Sequence, residues 1–176
     1  TLVLHMGTPG NTLTCSDPRI PCDEDNLALK AVLAFNRALA AETAIAPLNI
    51  SIELIKRIPS GAGLGGGSSD AAAVLKHLNR HYQHPFGDGK LHALALSLGA
   101  DVPFFIHGRP AIASGIGEHL EPYAGLLPWG VVIVFPGFGL STAEVFKNLN
   151  LGLTKCEKRH RYFPFKYGKF DIARHL

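Results

Sequence analysis

Pro59-Ser60-Gly61-Ala62-Gly63-Leu64-Gly65-Gly66-Gly67-Ser68-Ser69-Asp70 is the stretch whose reading decides the fold. Five glycines fall in seven positions and run into an alanine-rich segment. A backbone this bare comes close to an anion and aims several N–H groups at it. Downstream, Ala71, Val74, Leu75 and Leu78 repeat at i, i+3, i+4 and i+7, the spacing of one buried helix face. Ser68, Ser69 and Asp70 are thereby predicted at a helix N-terminus, where free N–H donors and the helix dipole favour negative charge. The stretch reads as a phosphate-cradling loop that feeds a helix.

Working outward, Leu48, Ile50, Ile52 and Leu54 alternate with Asn49, Ser51 and Glu53, a half-buried strand delivering the chain into the loop. Ahead of it, Ala28, Ala31, Val32, Phe35, Ala38 and Leu39 form one continuous helical stripe, with Asp23-Glu24-Asp25 expected as cap and first-turn acids. Thr1 to Met6 and Thr12 to Cys15 read as strands around a turn at Thr8-Pro9-Gly10-Asn11. Beyond the loop's helix, Pro85 to Gly89 is a turn. Asp88 is expected to cap a helix with Leu91, Leu94, Ala95 and Leu98 on its buried face and Gly99 at its end. Phe104–Ile106 and Ala111–Ala113 read as short strands, and Val131 to Phe135 as a fully apolar one. Ser141-Thr142-Ala143-Glu144 has the form of a capping box and predicts a helix through Phe146 to Leu149. The mixed order of strands and helices predicts an α+β fold, with a boundary between residues 137 and 141.

Composition narrows the function classes. The 176 residues are 47% hydrophobic and 18% charged, as in an ordinary globular protein. No apolar run reaches the about 20 residues of a membrane helix, so no membrane partner is expected. Cys15, Cys22 and Cys156 make an odd set without C-x-x-C spacing, which argues against a disulfide framework or zinc site and for a reducing, cytoplasmic location. The nine histidines are scattered and are assigned no metal. From Lys155 onward, seven Lys/Arg face two acids and interleave with aromatics. This stretch reads as a solvated basic face over packed rings, with no nucleic-acid partner.

Two familiar phosphate loops are excluded. The P-loop of nucleotide triphosphatases needs a Lys directly before the Ser, and Gly67 stands there. Gly61-x-Gly63-x-x-Gly66 matches the dinucleotide fingerprint by letter. That fingerprint needs a second strand ending in an acid about 20 residues on. Here Arg80 to Pro85 holds no strand pattern, and the nearest acid, Asp88, opens a helix.

The whole run from Pro59 to Ala72 resembles the second motif of the GHMP small-molecule kinases, in their branch acting on a cytidine-diphosphate-linked methylerythritol in the non-mevalonate isoprenoid pathway. Asp25-Asn26-Leu27, Leu98-Gly99-Ala100-Asp101-Val102-Pro103-Phe104-Phe105, Gly115-Ile116-Gly117-Glu118 and Pro136-Gly137 with Ser141 to Lys147 resemble further segments of that family. The resemblance implies a mixed sheet with helices on one side, of the ribosomal-S5-domain-2 kind. Residues 1–138 would form the nucleotide-binding domain and 139–176 the start of a second α+β domain. It implies ATP and Mg²⁺ as cofactors, with Pro59, Ser60, Gly61, Ala62, Gly63, Leu64, Gly65, Gly66, Gly67, Ser68 and Ser69 around the phosphates, and Ser68 or Ser69 near the metal. Asn26 and Lys56 would flank the adenosine, Asp101 would act as base on the acceptor hydroxyl, and Phe146 would stack on the cytosine. Read without the resemblance, Asp101 is a turn residue and Phe146 part of an apolar helix face. The family's Lys and Tyr-His pair on its N-terminal strand and its third, glycine-containing motif have no counterpart here. The resemblance therefore predicts a chain that starts after the first motif and stops before the third. Two other readings stand beside this one: a further GHMP kinase acting on mevalonate, homoserine or a sugar, and a nucleotide-binding module without catalysis.

Overall fold

In the computed structural model, residues 1–124, 130, 132–135, 137 and 147 are described. The centre of the sheet is β3 (Ile50–Leu54), flanked by β1 (Leu2–Met6) and β2 (Thr12–Cys15). β1 runs antiparallel to β3 and β2 parallel to it, which makes a mixed sheet. The register brings Leu4, Ile52 and Leu13 abreast on one face. Val3, His5, Glu53, Thr12 and Thr14 lie on the other and are exposed. Alternation along each strand thus leaves one face to be covered.

Helices α1 (Leu27–Glu42) and α2 (Gly66–His81) share a core with that face. Every residue of the predicted α1 stripe is buried, as are Ala71, Val74, Leu75 and Leu78 of α2. Phe35 is fully buried, with the ring of Tyr82 stacked 5.9 Å away and that of Phe86 edge-on at 5.1 Å. Helices α3 (Asp88–Leu98) and α4 (Val102–His107) follow, then a hairpin of β4 (Ala111–Ser114) and β5 (His119–Pro122). The architecture is α+β, with a mixed sheet and its helices on one side.

Several expectations are corrected. Asn26 caps α1, its Oδ1 accepting the Ala28 N–H at 2.9 Å, while Asp23 to Asp25 lie outside the helix. α3 is capped by Gly87, so Asp88 is its first residue, and Gly99 closes it with an extended backbone. Leu94 and Leu98 are only half-buried. Phe104–Ile106 belong to a helix rather than a strand. Pro103 sits in the first turn, where a missing N–H is harmless, and Gly108 closes the last turn in the left-handed conformation. Residues 132–135 form no strand, and Val132 is 87% exposed. A strand exists only where a neighbour satisfies its N–H and C=O groups, and no described strand pairs with these residues. The predicted helix from Ser141 to Leu149 and Phe146 within it lie outside the described residues, Lys147 excepted.

Candidate functional site

The glycine loop leaves β3 through Lys56 and returns at α2. Gly61, Gly63 and Gly65 all have positive φ, at +71°, +69° and +62°. At Gly65 the glycine is required twice. Its backbone is left-handed, and an added Cβ would lie 2.8 Å from Cε2 and Cζ of Phe105 on α4. Gly65 is also the N-cap of α2, so the helix starts at Gly66, two residues before the predicted serines. Ser69 N–H already donates to Gly65 C=O at 2.8 Å, as the first turn of an α-helix requires. The N–H groups of Gly66, Gly67 and Ser68 precede that bond and remain as donors at the positive end of the dipole.

This loop is a wall of two clefts. The first, of about 340 Å³, is lined by every residue from Pro59 to Ser68, by Asn26 and Lys56, and by Arg19, Ile20 and Pro21 from the β2–α1 connection. Ser69 does not line it. The second, of about 360 Å³, is lined by Asp101, Phe104 and Phe105 on one side and Ala113, Gly117 and Leu120 of the hairpin on another. Gly63, Leu64 and Gly65 belong to both. Volumes of this order suit small-molecule sites.

The two cations lining the first cleft each face a carboxylate. The Lys56 ammonium donates to Asp70 Oδ2 at 2.6 Å. Arg19 grips Asp17 with two bonds, Nε to Oδ1 at 2.9 Å and Nη2 to Oδ2 at 2.8 Å. Those side-chain bonds, with the Arg19 backbone N–H, hold the Asp17 carboxyl down at about 2. Both cations of this wall are thus already paired, and an anion entering it meets mainly backbone donors. Asn26 is buried, with Oδ1 capping α1 and Nδ2 donating to Pro21 C=O at 2.8 Å, so it fixes the cleft's rim.

Asp101 holds the N-cap position of α4, yet its side chain makes no capping bond. It is exposed, and among the described residues its carboxylate has no hydrogen-bond or ion-pair partner. Across the second cleft, the Gly115–Glu118 turn is locked by Glu118, which accepts the Ile116 N–H at 2.6 Å. Backbone hydrogen bonds accordingly lower the Glu118 carboxyl below its usual value.

Sequence reasoning missed Arg19 at the first cleft, the pairing of Asp70 with Lys56 and the contact of Phe105 with the loop. Their partners lie close in sequence only for Arg19, where D-x-R was a usable signal. It also passed over His77 and His81, one turn apart on α2. Both are exposed, and among the described residues no group of three or more potential ligands could hold a metal ion.

Residues 26–109, from the cap of α1 to the end of α4, match the profile of the GHMP kinases N terminal domain. This stretch is similar to the N-terminal domain of the GHMP kinases. Within them the chain is similar to 4-diphosphocytidyl-2-C-methyl-D-erythritol kinases. It is 44% identical over 146 residues to that of Desulfotalea psychrophila, covering 82% of this chain and 48% of the relative. It is 48% identical over 145 residues to that of Solidesulfovibrio magneticus, covering 81% and 47%. A crystal structure of 4-(cytidine 5'-diphospho)-2C-methyl-D-erythritol kinase matches with a TM-score of 0.62 at 40% identity, over 83% of this chain and 49% of that one. The chain spans about half the length of the curated relatives it matches. Among the described residues no helix is long and apolar enough to cross a membrane.

Proposed function

We propose that the protein carrying this chain transfers the γ-phosphoryl group of ATP to the 2-hydroxyl of 4-diphosphocytidyl-2-C-methyl-D-erythritol, in the cytoplasmic non-mevalonate route to isoprenoids. One observation carries the reading: the glycine loop is the wall common to a cleft holding Asn26 and Lys56 and a cleft holding Asp101. A donor in the first and an acceptor in the second would meet at Gly63–Gly65. Phosphoryl transfer asks a protein for little more than such positioning and charge stabilisation.

Gly66, Gly67 and Ser68 direct their N–H groups to the phosphates, with Pro59–Gly65 shaping the cradle, and Asn26 and Lys56 border the adenosine. Asp101, whose carboxylate has no partner among the described residues, accepts the proton of the acceptor hydroxyl as its oxygen bonds to the γ-phosphorus. The bond from that phosphorus to the β-bridging oxygen breaks, and ADP leaves. Among the described residues the cleft offers the Ser68 hydroxyl and no group of three or more metal-ligating side chains. That donor set would suit Mg²⁺, which would be held by Ser68 together with phosphate and water and would supply charge neutralisation for the phosphates. By the family resemblance, Phe146 is assigned to the cytosine of the acceptor.

The natural full chain, given ATP and a panel of the cytidine-linked methylerythritol, mevalonate, homoserine and galactose, is expected to phosphorylate the first alone. Turnover of another member of the panel, or nucleotide binding with no turnover of any, would overturn the proposal.

A further inference from the structure

The ion pair between Lys56 and Asp70 spans the base of the glycine loop. Lys56 is the second residue past β3, with its backbone N–H tied to Ser16 Oγ at 2.9 Å. Its side chain is only 9% exposed, and that of Asp70, in the second turn of α2, is 19% exposed. Between them passes Gly66. A Cβ there would lie 3.1 Å from the Lys56 Nζ and 3.2 Å from Ile58 Cγ2, so the ammonium runs against bare backbone. An ammonium has three donors, of which Asp70 takes one. The other two are aimed by that bond.

We infer that Asp70 is a positioning residue for the nucleotide cleft: by holding the Lys56 ammonium in place, it sets the donor that the nucleotide meets. The inference rests on reading that cleft as the nucleotide site. A lysine stem has four rotatable carbons, and fixing it in advance removes an ordering cost from binding. The carboxylate also cancels the lysine's charge, so this donor orients an uncharged acceptor rather than gripping a phosphate. The loss on removing Asp70 is therefore the same for ADP as for ATP.

The test uses the natural full chain with Asp70→Ala, Asp70→Asn and Gly66→Ala. It measures dissociation constants of ADP and a non-hydrolysable ATP analogue by calorimetry, kcat and both KM values by transfer assay, and folding by thermal melts. Asp70→Ala is expected to weaken both nucleotides by about tenfold, the effect of losing one charge-assisted hydrogen bond. The KM of ATP rises with it, while kcat and the acceptor KM stay within about twofold, the split expected when uniform binding is removed. Asp70→Asn, which keeps an acceptor oxygen, recovers most of the affinity. Gly66→Ala crowds the ammonium with the carboxylate intact and reproduces the nucleotide-specific loss even if Asp70→Ala fails to fold. Unchanged nucleotide affinity in folded variants, or an equal rise in the acceptor KM, overturns the role of Asp70 alone. Failure of the unmodified chain to bind either nucleotide overturns the reading of the cleft, and this inference with it.

Discussion

Replacing Gly65 by alanine should damage the protein more than the same change at Gly63, by an amount the geometry sets. Both residues are left-handed, at φ +62° and +69°, and that conformation costs an L-residue about 1–2 kcal/mol. At Gly63 nothing lies within 4 Å of an added Cβ, so this strain is the whole effect. At Gly65 the new methyl would stand 2.8 Å from two carbons of the Phe105 ring. Favourable carbon contacts fall at about 3.5–4.0 Å, so the ring or the loop has to give by close to 1 Å. Overpacking of this kind adds about 1–3 kcal/mol. Gly65→Ala is thus expected to lose about 2–5 kcal/mol of unfolding free energy and Gly63→Ala about 1–2. Urea denaturation of both variants measures the gap, and a Gly65→Ala/Phe105→Leu double variant should narrow it. Nucleotide affinity, read by calorimetry, should fall further for Gly65→Ala, since its methyl displaces the cradle. Equal losses at the two positions would refute the view that Phe105 braces the loop.

Two further outcomes are expected. Phe35→Ala empties a fully buried site beneath Tyr82 and Phe86 and should lower stability by about 3–5 kcal/mol in denaturant titrations. Arg19→Gln should return the Asp17 carboxyl from about 2 toward its ordinary value of 3.8 in an NMR pH titration. Because that folded-state pKa is depressed, the pair's stabilisation is complete above about pH 4 and is lost as pH falls toward 2, so the variant should unfold at a less acidic pH in an acid titration. An unmoved Asp17 would show that Arg19 is not its cause.

The elements with a long, regular pattern were legible in the sequence. α1 and α2 each bury the stripe that their 3.6-residue spacing predicted, and Ile50, Ile52 and Leu54 of β3 face the core. Short elements were not. Phe104-Phe105-Ile106 is an apolar run that periodicity cannot assign, and only the tertiary setting makes it helix. His119-Leu120-Glu121-Pro122 carries one aliphatic residue and was passed over, yet it pairs with β4 across the tight Gly115–Glu118 turn. At the site, the loop was legible because so many glycines ahead of a helix have few other uses. Its braces were not. Phe105 lies 40 residues from Gly65, and Asp70 lies 14 residues from Lys56, contacts that no local pattern encodes. Asp101 was visible only through resemblance, since an aspartate after a helix end is ordinarily a turn residue. The structure adds that its carboxylate has no described partner and lines a cleft bounded by the loop.

The central claim, a loop that holds ATP beside an aspartate that takes the acceptor's proton, is tested most directly by Asp101→Asn in the natural full chain. The measurement is phosphoryl transfer from ATP to 4-diphosphocytidyl-2-C-methyl-D-erythritol under saturating conditions, beside calorimetric nucleotide binding. A general base contributes about 10²–10⁴ in rate, so kcat should fall by that factor while the dissociation constant of the ATP analogue stays within about twofold. Turnover at the parent rate would contradict the account.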